Sequence, residues 1–155
     1  MSFVRNGEML IKIGAQGEHY GNCEEWDDVC FGKVRQIFVM HGSTLINSIQ
    51  VAYDHDGVLV LLHRRGSDGD KFDCIMLEPW EVLTGISGHY SPKDDSSGMT
   101  VVRSLTVSTN RPATYGPFGR EEGTEFSFEI PSDVTFGGFH GRSSGGCLCA
   151  LGIYV

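Results

Sequence analysis

Apolar and polar residues alternate with a period of two along most of the chain. Ile11 and Ile13 flank Lys12, Ile49, Val51 and Tyr53 alternate with Gln50 and Ala52, and Phe126 and Phe128 alternate with Ser127 and Glu129. Successive side chains of a strand point to opposite faces, so this pattern predicts strands with one buried face. Val58-Leu59-Val60-Leu61-Leu62 is a continuous apolar run, bounded by Asp56-Gly57 on one side and Arg64-Arg65-Gly66 on the other. So short a run between turn residues predicts a strand rather than a helix. Val101 to Val107 and Leu148 to Val155 complete the set. No longer window carries a helical period with caps, so helix should be scarce.

Turn signals recur at close intervals, at His41-Gly42-Ser43, Asp54-His55-Asp56-Gly57, Gly66-Ser67-Asp68-Gly69-Asp70, Ser87-Gly88, Asp94 to Gly98, Tyr115-Gly116-Pro117 and Gly141 to Gly146. Strands and turns so spaced predict an all-β sandwich, barrel or prism. Three glycine-rich clusters, at 14–21, 66–69 and 137–146, hint at three similar sheets around one core.

Glycine accounts for 21 of 155 residues, roughly twice ordinary usage, and the turns explain the excess. At 155 residues, 40% hydrophobic and 21% charged, the chain reads as one folded domain spanning 1–155. Twenty acidic against twelve basic side chains give a formal charge of −8, which repels phosphate backbones and anionic lipid, so no nucleic acid and no membrane is expected as a partner. No apolar stretch approaches the ~20 residues of a membrane span. The start, Met1-Ser2-Phe3-Val4-Arg5-Asn6, lacks the features of a secretory signal, and a cytoplasmic or nucleocytoplasmic location is the expectation. Five cysteines, an odd number, read by default as reduced thiols.

The order of local motifs adds a resemblance. Trp26-Asp27-Asp28, Ile49-Gln50-Val51-Ala52-Tyr53 followed by Gly57, Leu83-Thr84-Gly85-Ile86-Ser87-Gly88 and Leu105-Thr106-Val107-Ser108-Thr109-Asn110 come first. Tyr115-Gly116-Pro117-Phe118-Gly119 with Gly123-Thr124-Glu125-Phe126, and Gly138-Phe139-His140-Gly141-Arg142-Ser143 ending in Ala150 to Val155, follow. Together they resemble a jacalin-related lectin domain over about residues 11–155. The resemblance implies a β-prism of three four-stranded Greek-key sheets with pseudo-threefold symmetry, assembled as a dimer or larger homo-oligomer. It implies carbohydrate binding of the mannose or glucose type, with no catalysis, cofactor or metal, and similarity to the nucleocytoplasmic plant branch, with its links to defence and stress.

In that family the sugar lies at one end of the prism, where a last loop carries Gly-x-x-x-Asp. Main-chain N–H groups hold ring oxygens and the carboxylate accepts two sugar hydroxyls. Here the motif falls on Gly145-Gly146-Cys147-Leu148-Cys149, with Cys149 where Asp is expected. The resemblance also places Asn22-Cys23 in the first loop, with Gly21 as an alternative register, and Ser87-Gly88-His89-Tyr90 in the third, where His89 or Tyr90 would form a wall. A sister motif at Gly42 to Ile46 lacks its carboxylate as well. A thiol is a weak partner, and each lost charged hydrogen bond is worth roughly 1.5–3 kcal/mol, against about 4 kcal/mol in a millimolar site. Simple mannose recognition at 149 is therefore expected to be weak or absent. The contacts remaining are the main-chain donors of Gly146, Cys147 and Leu148 and surfaces outside the altered pocket. The other reading is a prism that has lost sugar binding and serves protein interaction or assembly.

If both loop assignments hold, Cys23, Cys147 and Cys149 converge on that pocket, where three reduced thiols, a disulfide from Cys23 to Cys147 or Cys149, and a zinc site with His89 or His140 are the alternatives. Cys30 and Cys74 read as buried hydrophobes. Asp27-Asp28 and Asp94-Asp95 do not read as acid/base pairs, because neighbouring carboxylates on a strand face apart and loop carboxylates are usually solvated. Gly66-Ser67-Asp68-Gly69-Asp70 lacks the rest of a phosphate or calcium loop. Trp80 reads as a core or dimer-contact residue.

Overall fold

The computed structural model describes residues 2–5, 8–16, 23–28, 33–94 and 98–155, with side chains from residue 11 onward except that of Gln16. Among these residues the regular structure is all β. In chain order the strands are β1 (Ser2–Arg5), β2 (Glu8–Gln16), β3 (Glu24–Asp27), β4 (Lys33–His41), β5 (Ile46–His55), β6 (Val58–Leu61) and β7 (Arg65–Gly66). There follow β8 (Lys71–Met76), β9 (Leu83–Pro92), β10 (Thr100–Thr109), β11 (Tyr115–Gly119), β12 (Thr124–Glu129), β13 (Gly138–Ser143) and β14 (Leu148–Tyr154).

They form three antiparallel sheets. The first runs β1-β2-β14-β13-β3 and so joins the two ends of the chain, the second β6-β5-β4-β8 with β7 beside β5, and the third β11-β10-β9-β12. The four strands expected in each sheet become five, five and four, because β1 lengthens the first and the two-residue β7 joins the second. The β5–β6 hairpin turns on Asp56 (φ 50°) and Gly57 (φ 83°). Positive φ at both central residues gives the turn that matches the twist of the strands.

Ile37, Val51, Ile86, Leu105, Phe139 and Leu151 bring all three sheets into one core and are fully buried. The alternation is real, but it does not always place the apolar set inward. Ile11 and Ile13 are 53% and 37% exposed on β2, and β6 is a strand at the sheet margin whose Val58, Leu59 and Leu61 face solvent.

Candidate carbohydrate site

At one end of the molecule Cys23, Met99, Val101, Cys147 and Cys149 pack into a second buried cluster, against which Leu45 leans. Cys23 and Cys149 are joined by a disulfide, with Cα atoms 6.7 Å apart, while Cys147 is a buried free thiol. The default of reduced thiols is thereby corrected. Cys147 and Cys149 do lie in one cluster, and Cys23, just before β3, bonds the second of them. Among the described residues no group of His, Cys, Asp and Glu is placed to hold a metal ion, and the Nε2 of His140 donates to the Ile13 carbonyl (2.9 Å).

The turn from β13 to β14 forms the rim above this base. Ser144 N–H donates to the Cys147 carbonyl (3.0 Å), Gly146 N–H donates to Ser144 Oγ (3.2 Å), and Asn47 Nδ2 pins the Gly146 carbonyl (3.2 Å). Of the main-chain donors expected to hold a sugar, that of Gly146 is thus satisfied within the turn. Cys147, Leu148 and Cys149 are fully buried. Gly145 and Gly146 are exposed, and a Cβ on either would meet no atom within 4 Å. An open glycine rim therefore sits on a closed, sulfur-lined base.

The other assigned residues lie elsewhere. His89 and Tyr90 are not in a loop but inside β9, paired on one side with β10 and on the other with β12. His89 Nδ1 meets Ser104 Oγ at 2.8 Å and Tyr90 packs on Phe126, ring centres 6.3 Å apart. At ~3.3 Å per residue, His89 is about 10 Å short of the strand end at Pro92. The loop that reaches the cysteine cluster is the next one, closed by the Lys93 N–H to Met99 carbonyl bond (2.6 Å). Ile46 is fully buried in the core, so the sister motif offers no polar group at that position. Cys74 is exposed on β8 rather than buried, and Trp80 is 58% exposed with the Arg111 guanidinium 5.3 Å from its ring. Gly21, Asn22, Cys30 and Asp95 lie outside the described residues.

Beside the rim runs a groove of about 410 Å³, bounded by Glu24, Glu25, Arg64, Arg65, Ser144 and Gly145. A second hollow of about 570 Å³ shares Glu25, Trp26 and Arg65 with it and adds Lys12, Asp27 and Arg142. The register between β3 and β13 sets Glu24 opposite Ser143 and Glu25 opposite Arg142. Arg65 crosses from the second sheet, bonds the buried Asp28 carboxylate at 2.8 Å and lies 5.2 Å from the Trp26 ring. Burial raises the Asp28 carboxyl above its ordinary value, against the opposing pull of Arg65. Tyr154 is fully buried, and burial, then the Asp27 carboxylate, push its hydroxyl up to about 12. Exposed carboxylates accept hydroxyl protons and guanidinium groups donate to ring oxygens, so the wall has the chemistry of a polyol site. In the sequence this region was marked by Trp26-Asp27-Asp28, by the Gly138 to Ser143 motif and by Gly145; Arg64 and Arg65 reach it from the second sheet.

Three antiparallel sheets about one core form a β-prism. The chain belongs to the jacalin-like lectin family, whose domain model matches residues 13–154. It is 42% identical over 135 residues to jacalin-related lectin 3 of Arabidopsis thaliana, an alignment covering 85% of this chain but 22% of that longer protein. It is 38% identical to protein RESTRICTED TEV MOVEMENT 1 of the same plant, covering 94% of this chain and 86% of that one. Among solved structures, artocarpin in complex with mannopentose superposes with a TM-score of 0.82 at 36% identity, covering 92% of this chain and 95% of the other. The family is one of carbohydrate-binding proteins rather than enzymes. Among the described residues no helix is long and apolar enough to cross a membrane.

Proposed function

We propose that this protein binds mannose-type oligosaccharides at the Gly145–Gly146 rim and along the adjoining groove, without a carboxylate at position 149. The observation that carries the reading is the open rim continuing into a groove walled by Glu24, Glu25 and Arg64. The carboxylates lost from the base are available on the wall, displaced toward the path of a second or third sugar ring. The mannopentose complex of the similar artocarpin supports an extended ligand. A single ring sits over the Cys23–Cys149 bond and finds no charged acceptor there.

Titration calorimetry tests this. Methyl α-mannoside should give no saturable heat, and a branched oligomannose should bind with a Kd near or below a millimolar, about 4 kcal/mol or more. Gly145→Trp should abolish that binding while leaving the circular dichroism spectrum unchanged. Saturable monosaccharide binding lost in Gly145→Trp would place recognition in the base instead. Silence toward both sugars, with the disulfide intact and reduced, would favour a protein-interaction module, the reading to which a base without a carboxylate also points.

A further inference from the structure

The Gly66-Ser67-Asp68-Gly69 turn and the start of β5 surround one side chain that reaches the rim from the second sheet. Met40 pairs with Ser48, and the next residue, His41, pairs with Ile46, so Asn47 is the extra residue of a bulge between β4 and β5. A bulge takes one residue out of the ladder and re-aims its side chain. Asn47 Nδ2 donates to the Gly146 carbonyl at 3.2 Å, across 99 residues of sequence. Its own carbonyl accepts from the Ser67 N–H (3.1 Å). The seat around it is built of glycines. A Cβ on Gly69 would stand 2.5 Å from Asn47 Oδ1 and 2.8 Å from the His41 nitrogen, and one on Gly66 would stand 2.0 Å from the Asn47 carbonyl oxygen. The backbone can approach Asn47 this closely only where no side chain intervenes.

We infer that Asn47 is the positioning residue of the glycan rim, its amide setting the distance between the two walls of the groove. The inference rests on the rim and groove being the glycan site. One wall, with Glu24, Glu25 and Gly145, belongs to the first sheet and its β13–β14 turn, while the other, with Arg64, Arg65 and Gly66, comes in with β7 of the second. Arg65 ties the walls together through the Asp28 carboxylate (2.8 Å), and Asn47 ties them at the rim. Gly145 and Gly146 have no side chains with which to anchor the turn. The bonds inside it, from Ser144 N–H to the Cys147 carbonyl and from Gly146 N–H to Ser144 Oγ, fix its shape but not its lean toward the second sheet. The apparent affinity of a ligand falls with the fraction of molecules whose site is in place, so loss of the Asn47 bond weakens an oligosaccharide that spans both walls.

Two substitutions separate holding from filling. Asn47→Asp keeps the shape of the side chain but sets a carboxylate oxygen against the Gly146 carbonyl oxygen, two acceptors without a proton between them. Asn47→Ala removes the bond and leaves space. A residue that only fills its seat tolerates Asp better than Ala, whereas one that holds the rim by donation shows the reverse order.

The free thiol of Cys147 reports the position of the turn without any sugar, because it is buried beneath it with Sγ 3.4 Å from Ser144 Oγ. Iodoacetamide alkylation without reductant, read by peptide mass spectrometry against the exposed Cys74, should reach Cys147 about tenfold faster in Asn47→Asp and about threefold faster in Asn47→Ala. The Kd for a branched oligomannose should rise by about the same factors, with melting midpoints within about 4 °C of the parent. An unchanged Cys147 rate in Asn47→Asp, a milder effect of Asp than of Ala, or a parent and variants that bind oligomannose equally well would overturn the inference. Faster Cys147 alkylation in a protein whose parent binds no oligomannose would instead sink the glycan reading and leave the hold of Asn47 on the turn established.

Discussion

Reducing the Cys23–Cys149 bond should lower the midpoint of thermal unfolding by roughly 4–16 °C. The bond joins residues 126 apart in sequence, tying the segment before β3 to the last strand, and a cross-link over so long a loop removes much freedom from the unfolded chain. The chain-entropy estimate for a loop of ~100 residues is about 4.7 kcal/mol, and measured values more often fall at 2–4 kcal/mol. In a chain of this size each kcal/mol moves the midpoint by about 2–4 °C. Folded-state packing should change little, because both sulfurs lie in the cluster with Met99, Val101 and Cys147, with Cys23 5% exposed and Cys149 fully buried. Cys23→Ser with Cys149→Ser should melt below the oxidised parent and no longer respond to reductant. Paired calorimetric scans with and without reductant decide it, and a shift under about 2 °C would mean that the bond contributes nothing to stability.

How much of this was legible in the sequence differs from element to element. Period-two alternation identified β5, β10 and β12 and their buried residues, because those strands lie within or against sheets with one solvated face. The same signal misplaced Ile11 and Ile13, since periodicity reports that one face differs from the other and not which is covered, whereas the Val58 to Leu62 run did read as a strand and β6 is one. Ser87-Gly88 read as a loop although it lies in mid-strand. A Cβ on Gly88 would stand 2.2 Å from the Ser104 carbonyl and 2.8 Å from the Phe126 ring, so glycine is required there by close packing rather than by a turn. The convergence of Cys23, Cys147 and Cys149 followed from the resemblance, but which pair bonds depends on tertiary placement, which no local pattern encodes. The groove was hidden for the same reason. Arg65 and Asp28 are 37 residues apart, and only the folded sheets bring them together beneath Trp26.

Glu81→Gln should cost about 3–5 kcal/mol, the range for breaking one partner of a buried ion pair, and should flatten the acid side of the stability profile. The Glu81 carboxylate is fully buried and accepts from Thr109 Oγ1 (2.6 Å), Tyr115 Oη (2.8 Å) and the Glu78 N–H (3.1 Å). Arg111 Nε lies 3.1 Å away. Burial by itself would raise this carboxyl, but the three hydrogen bonds and the Arg111 charge outweigh it and hold it below its usual value. A depressed folded-state pKa means that the unfolded chain binds its proton first as pH falls. The stabilisation is therefore complete above the unfolded value of about 4.3 and is lost as pH drops through the lower folded value. The glutamine variant keeps the shape but puts an amide N–H₂ in place of one carboxylate oxygen, either Oε2, which accepts from Thr109 and Tyr115, or Oε1, which faces the Glu78 N–H and Arg111, so a donor then faces another donor. It should lose stability at pH 7 and show a shallower decline below about pH 5 than the parent. Arg111→Ala should cost less, because Arg111 is 39% exposed and the three hydrogen bonds to Glu81 survive. Urea unfolding of the three proteins at pH 7 and at about pH 3.5 separates these outcomes. A glutamine variant within about 1 kcal/mol of the parent, or one with the same acid slope, would show that the charge on Glu81 does not hold this junction together.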